Sequence, residues 1–208
     1  MLFQGNVEMK KIFTTIISIF FICFSYSQNI GLRANTEFSD IKRINNSLGV
    51  GLYLNINDFS KKIEILFSFD FTKNEKDFLP INNNPSNSCV YSSFHKLFFS
   101  TSPLYVLPIE EKIKTKIGPV FNYNSINASD DYMGMISSYK SKHIGFGIIA
   151  NIQFQKILKL PVNIDIFITP QYLINIKNEN SPIGVKSDYA DNLKILNIQV
   201  GLSFILNE

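Results

Sequence analysis

From residue 29 onward, apolar and polar residues alternate along the chain with a period of two. In the segment KKIEILFSFDFT, Ile63, Ile65, Phe67, Phe69 and Phe71 take one set of positions, and Lys62, Glu64, Ser68 and Asp70 take the other. Successive side chains of a strand point to opposite faces, so this pattern predicts a strand with one apolar and one polar face. The same alternation sets Leu48, Val50, Leu52, Leu54 and Ile56 against Gly49, Gly51, Tyr53 and Asn55. It sets Ile144, Phe146, Ile148, Ala150, Ile152 and Phe154 against His143, Gly145, Gly147, Asn151 and Gln153. Two later segments oppose Ile164, Ile166, Ile168 and Tyr172 to Asn163, Asp165, Thr169 and Gln171, and Ile198, Val200, Leu202 and Phe204 to Asn197, Gln199, Gly201 and Ser203. Weaker alternation marks three more strands. The first carries Ile30, Leu32 and Ala34 against Gly31, Arg33, Asn35 and Glu37, and another carries Ile113, Ile117 and Phe121 against Lys114, Lys116 and Asn122. Between them, YSSFHKLFFSTSPLYVL changes phase near Pro103, which predicts one strand with a bulge there.

The connections between these eight strands alternate in length. Asp58 to Ser60, Pro108 to Lys112 and Gln155 to Leu160 are short. Ser39 to Asn46, Lys73 to Ser88, Asn124 to Lys142 and Ile176 to Asn192 are long and rich in Asn, Ser and Asp. An even number of antiparallel strands with tight turns at one rim and long loops at the other predicts an all-β, eight-stranded up-and-down transmembrane barrel of the outer-membrane type. In lipid, only a closed sheet pairs every backbone group. The N- and C-termini then lie on the periplasmic side, and outer-membrane lipid is the first partner.

Alternation alone leaves open which face points outward, and an exported soluble calyx with an apolar interior is the alternative. The polar face discriminates. It mixes the charged residues Arg33, Glu37, Lys62, Glu64, Asp70, Lys114, Lys116 and Asp165 with glycines 31, 49, 51, 145, 147 and 201. Glycine weakens a strand and has little use on a solvated surface. In a narrow barrel, large and small side chains interlock, and buried charges pair. The eight charged residues are therefore expected to form a network that fills the lumen, with Ile148 and Ile166 facing lipid.

Pro103, Pro119 and Pro170 sit inside these strands and supply no backbone donor, so bulges or strand ends are expected at all three. The stretch STSPLYVLPIEEKIKTKIGPVFNYN carries a Pro-Leu strand, a short turn and a Gly-Pro strand, and the last strand reads VGLSFIL. With a leader ending in Ser-Gln, these features resemble the outer-membrane β-barrel domain family of Bacteroidetes-type bacteria. The resemblance implies an outer-membrane location and a small porin-like or OmpX-like barrel, and no particular activity.

The N-terminus fits export. Lys10 and Lys11 precede an apolar run from Ile12 to Phe24, thirteen residues, against the roughly 20 that span a bilayer as a helix. Ser25 and Ser27 then precede Gln28, the small-residue pattern of a cleavable signal peptide. Residues 9–27 are read as that signal, residues 1–8 as an alternative start or cloning remnant, and residues 28–208 as the barrel domain. Removal of residues 1–27 leaves 181 of 208 residues, and the formal charge falls from +3 to +2 as Lys10, Lys11 and Glu8 depart. Such a balance argues against a nucleic-acid partner. Only Cys89 remains of two cysteines, so no internal disulfide forms.

No enzymatic machinery is expected. His95 and His143 are the only histidines, and Ser93, Ser141, Asp130 and Asp131 lie near them in sequence, but Ser and Asp saturate these connections. The pattern holds no metal-ligand spacing and implies no cofactor. Phe78, Tyr132, Met133, Met135, Tyr139 and Tyr189 fall in the long connections and are candidates for contact with an extracellular or envelope protein. A small-solute channel and a soluble periplasmic ligand binder are the other two functions compatible with the pattern.

Overall fold

The computed structural model describes residues 29–39, 46–60, 62–78, 90–110, 112–132, 135–156, 160–179 and 192–206. Eight strands run in chain order: β1 (Asn29–Ser39), β2 (Ser47–Ser60), β3 (Ile63–Phe78), β4 (Val90–Glu110), β5 (Ile113–Tyr132), β6 (Met135–Phe154), β7 (Val162–Glu179) and β8 (Leu193–Ile205). Each pairs antiparallel with its neighbour, and β1 pairs with β8 from Asn29↔Ile205 to Ser39↔Ile195, closing the sheet into a barrel. Closure leaves no edge with unpaired backbone groups. The signal and leader segments, Cys89, Met133 and Tyr189 lie outside the described residues.

The outward face is apolar. Leu32 is 60% exposed, Phe121 55%, Ile148 56% and Val200 52%, while Arg33, Asp70, Asn122 and Asp165 are buried. A calyx with its apolar face inside is therefore not the arrangement this chain adopts. Leu54 and Ile56 depart from the expectation. Both keep the outward phase of β2 but are buried, with Leu54 flanked across the ladders by Ile30 and Phe67.

The strands run well beyond their expected ends at the rim of the long connections. The stretch from Asn124 to Lys142, read as a loop, is instead the top of a hairpin: β5 continues to Tyr132, β6 begins at Met135, and Tyr132 pairs with Met135. Backbone pairing continues here after the apolar alternation has stopped. Outward positions such as Asn127, Lys140 and Lys142 are exposed and polar, so hydrophobic periodicity carries no signal for this part of the sheet.

Pro103, Pro119 and Pro170 produce neither bulges nor strand ends. The β3–β4 ladder runs without slippage through Ile65↔Pro103, and inward and outward positions alternate in one phase from Phe94 to Leu107. The apparent phase change arose because Leu104 and Val106 are apolar yet face inward. The chain instead accepts a gap in one ladder. Pairs between β4 and β5 stop at Thr101↔Phe121 and resume in the same register at Tyr105↔Ile117, which puts the donor-less Pro103 and Pro119 opposite each other. A like gap between β6 and β7, from Gly147↔Gln171 to Ala150↔Ile168, accommodates Pro170. At each gap the strands approach closely over a glycine: a Cβ at Gly118 would lie 1.9 Å from the Pro103 carbonyl oxygen, and one at Gly147 2.1 Å from that of Pro170.

Candidate functional site

Three ion pairs bridge the interior. Arg33 donates from Nε to Asp70 Oδ1 at 2.8 Å and from its terminal nitrogen to Oδ2 at 2.5 Å, a two-point contact between β1 and β3. Asn35 and Gln199 add amide donors to Asp70 Oδ1 at 3.3 and 3.5 Å. Lys116 pairs with Glu64 at 2.5 Å, and Asn55 also donates to that carboxylate. Lys96 pairs with Glu37, both with no exposed side-chain surface.

Asp165 lies among neutral donors. Tyr53 and Ser203 hydroxyls donate to it at 2.7 Å, Gln153 at 3.0 Å and Asn151 at 3.3 Å. Tyr53 reaches it from β2 across the bore. A Cβ at Gly31 would stand 2.2 Å from the Tyr53 ring, and one at Gly201 2.9 Å from it, so only glycine leaves the slot this ring occupies. Gly51 does the same for Asp70, whose Oδ1 would be 2.0 Å from a Cβ there. The Tyr53 ring meets Phe167 edge-on with centroids 5.2 Å apart, and the Arg33 guanidinium lies 5.1 Å from the Phe167 centroid.

The structure thus brings six of the eight charged residues singled out in the sequence into the core: Arg33, Glu37, Glu64, Asp70, Lys116 and Asp165. Two correct the expectation. Lys62 is exposed in the turn between β2 and β3, beyond the end of the alternation, and Lys114, on the inward phase near the same rim, is only half-buried. Lys96 was missed, although it falls on the inward phase between Phe94 and Phe98; it is wholly buried. An inward apolar component was missed as well. Tyr53, Leu66, Leu104, Val120, Ile149 and Phe167 form one buried cluster. Phe94, Ile126, Ala128, Tyr139, Leu173, Leu193 and Ile195 form another toward the rim of the long connections. Tyr139, expected on a loop surface, is buried in that second cluster. The signal for the first cluster was present as apolar residues on the polar phase, Leu66, Leu104, Ile149 and Phe167 in ILF, PLYV, GIIA and IFIT.

His143 faces inward and is fully buried, with Nε2 3.2 Å from the Asn175 amide, while His95 faces outward with its ring 5.9 Å from Phe71. Ser93 bonds to Ser129 at 2.9 Å. Among the described residues, no group of three or more His, Cys, Asp and Glu side chains gathers as metal ligands.

Eight antiparallel strands closed on themselves, with an apolar exterior around a polar interior, define a β-barrel of the outer-membrane type. The chain is similar in structure to neisserial surface protein A, NspA, with a TM-score of 0.55 and 15% identity over 86% of this chain and 96% of that one. It is also similar to Ail, the attachment invasion locus protein of Yersinia pestis (TM-score 0.52, 16% identity, 85% of this chain and 94% of Ail). A major outer membrane protein of Thermus thermophilus gives a TM-score of 0.56 at 7% identity, over 85% of this chain and 98% of that one. At such identities the likeness is one of fold. No family model matches the chain, and no curated protein matches its sequence.

Proposed function

We propose that this chain is a non-enzymatic protein of the Gram-negative outer membrane, with a closed lumen and long extracellular connections that contact an envelope or extracellular protein. Residues 9–27 serve as its signal peptide, residues 28–208 form the barrel domain, and both termini are periplasmic. The placement of the termini rests on the usual assignment of short turns to the periplasm and long loops to the outside. Family membership among Bacteroidetes-type barrels rests on the Pro-Leu and Gly-Pro strands. The exposed apolar belt supports a lipid environment, because a monomeric soluble protein rarely leaves so much contiguous apolar surface in water.

The observation that carries a closed lumen is the set of three ion pairs with two apolar clusters across the same bore. Eight strands leave an interior just wide enough for side chains to fill. A channel needs a continuous wet path, and these contacts favour a filled bore over one. Contact through the loops draws support from Ail, an attachment protein by its name, one structure of which holds the heparin analogue sucrose octasulfate. Single-channel recording on the protein in planar bilayers tests the lumen: a flat current is expected, and a steady open conductance would establish a pore instead. Recovery from cells in the aqueous fraction without detergent would end the membrane reading.

A further inference from the structure

We propose that Lys140, Lys142 and Lys177, on the outer wall at the rim of the long connections, bind the phosphate of an anionic membrane lipid. The acyl chain of that lipid lies on the apolar surface directly below. The proposal rests on the reading that this barrel sits in a bilayer.

The three lysines are exposed and, with Ser125 and Asn127, line a cavity of about 130 Å³. Since a water molecule takes roughly 30 Å³ of liquid, a phosphate group fits. Lys142 and Lys177 are direct partners across β6 and β7, where like charges oppose folding. Among the described residues neither Lys140 nor Lys142 is ion-paired, although Glu179 lies opposite Lys140 in register. Elsewhere on the wall the exposed Lys73 is paired with Glu75. An anion beside Lys142 supplies the counter-charge that neither Lys140 nor Lys142 finds among the described residues.

The backbone is bent to bring the third lysine there. On β7 the inward positions are odd-numbered through Leu173, so simple alternation would send Lys177 into the bore. The ladder instead slips between His143↔Asn175 and Lys142↔Lys177, with one extra residue on β7. Lys177 is thereby aligned with the outward-facing Lys142 and exposed. Bulges that re-aim one side chain are common beside functional sites.

The surroundings select a lipid over a free anion. One row toward the short-turn rim, Tyr123, Ile144 and Ile174 are exposed side by side, and Ile176 beside them is half exposed. The next row continues as an open, shallow apolar surface along Phe38, Phe146, Ile148, Pro170, Tyr172 and Leu196, with Lys194 on its margin. Cation, apolar row and apolar surface follow each other along β6 and β7 in the order of headgroup and acyl chain.

The test uses the full barrel refolded into phosphatidylcholine vesicles containing a trace of spin-labelled phosphatidic acid or spin-labelled phosphatidylcholine. Electron paramagnetic resonance reads the fraction of each held at the protein. Phosphatidic acid should be preferred, and K142Q/K177Q should lower that preference by roughly fivefold per lysine at the site, the factor expected for a cation at a charged membrane surface. K73Q, which removes an exposed lysine elsewhere, should leave it unchanged. Equal preference in K142Q/K177Q and the unaltered chain, or an equal loss in K73Q, overturns the site. Displacement of phosphatidic acid by inorganic phosphate overturns the lipid as occupant. The heat-induced shift in gel mobility reports insertion: a chain that inserts without preference refutes this site alone, whereas failure of the unaltered chain to insert refutes the membrane reading as well. Symmetric vesicles make the result independent of which rim faces outward.

Discussion

Replacing Arg33 with methionine would strip Asp70 of its cation while leaving the carboxylate with no exposed side-chain surface. Removing one partner of a buried ion pair costs about 3–5 kcal/mol, because the remaining charge keeps its desolvation penalty and loses its compensation. The guanidinium contacts with Phe167 at 5.1 Å and Tyr53 at 5.7 Å are lost too, adding about 0.5–1 kcal/mol. Against this, the Asn35 and Gln199 amides still reach Asp70 at 3.3 and 3.5 Å, long contacts that offset only part of the loss. The expected net cost of R33M is therefore about 3–4 kcal/mol. In R33M/D70N both charges are gone, and the asparagine side chain, equal in size to the aspartate it replaces, keeps the place beside Gly51 that Asp70 occupies. Most of the loss should be recovered, with a coupling energy of about 2–3 kcal/mol. Urea unfolding of the barrel in vesicles measures both variants. The chain has nine tyrosines and no tryptophan, so tyrosine emission is the intrinsic probe, with gel mobility as the second. Equal destabilisation of R33M and R33M/D70N would mean that the pair behaves as a solvated one, worth about 0–1 kcal/mol. The bore would then be wet and the closed-lumen account wrong.

The same unfolding assay checks further expectations. I148K, on the outward face of β6, should cost about 2–4 kcal/mol if that position lies near the bilayer midplane. T169V, inward and with no partner for its hydroxyl among the described residues, should change stability by less than about 1 kcal/mol, and comparable losses would mean the faces are reversed. Gln153 is no such neutral site, because it donates to Asp165 at 3.0 Å. Y53F removes one of the two 2.7 Å donors to Asp165 and should cost about 1.5–3 kcal/mol, while Y53F/D165N should restore most of it; no coupling would place Asp165 in contact with water. G31A forces the Tyr53 ring from its slot and should cost about 1–3 kcal/mol, a penalty that Y53A should reduce in the double variant.

Strand identity and facing were legible in the sequence because alternation is a local property: Ile63, Phe67 and Phe69 declare one face whatever surrounds them. The six buried charged residues were legible for the same reason, each sitting on the polar phase of its strand. Legibility failed where local pattern and environment part company. The upper halves of β5 and β6 stand clear of the apolar belt, so outward residues such as Asn127 and Lys140 are polar, and the period-two signal fades although pairing continues. Leu104 and Val106 obscured the phase of β4 because both faces are apolar there.

By itself the sequence determined that eight strands alternate, which side of each is greasy, and that the number is even. The facing follows from the two-residue repeat of an extended backbone, and the even count from the alternation of short and long connections. Only the tertiary structure decided which charges meet. Arg33 finds Asp70, Lys116 finds Glu64, Lys96 finds Glu37, and Tyr53 reaches Asp165 from the far wall. Those choices depend on the stagger and tilt with which the sheet closes, a property of all eight ladders together. The same closure decided that Pro103 and Pro119 face each other across one gap, and that a slip of one residue turns Lys177 from the bore to the outer wall.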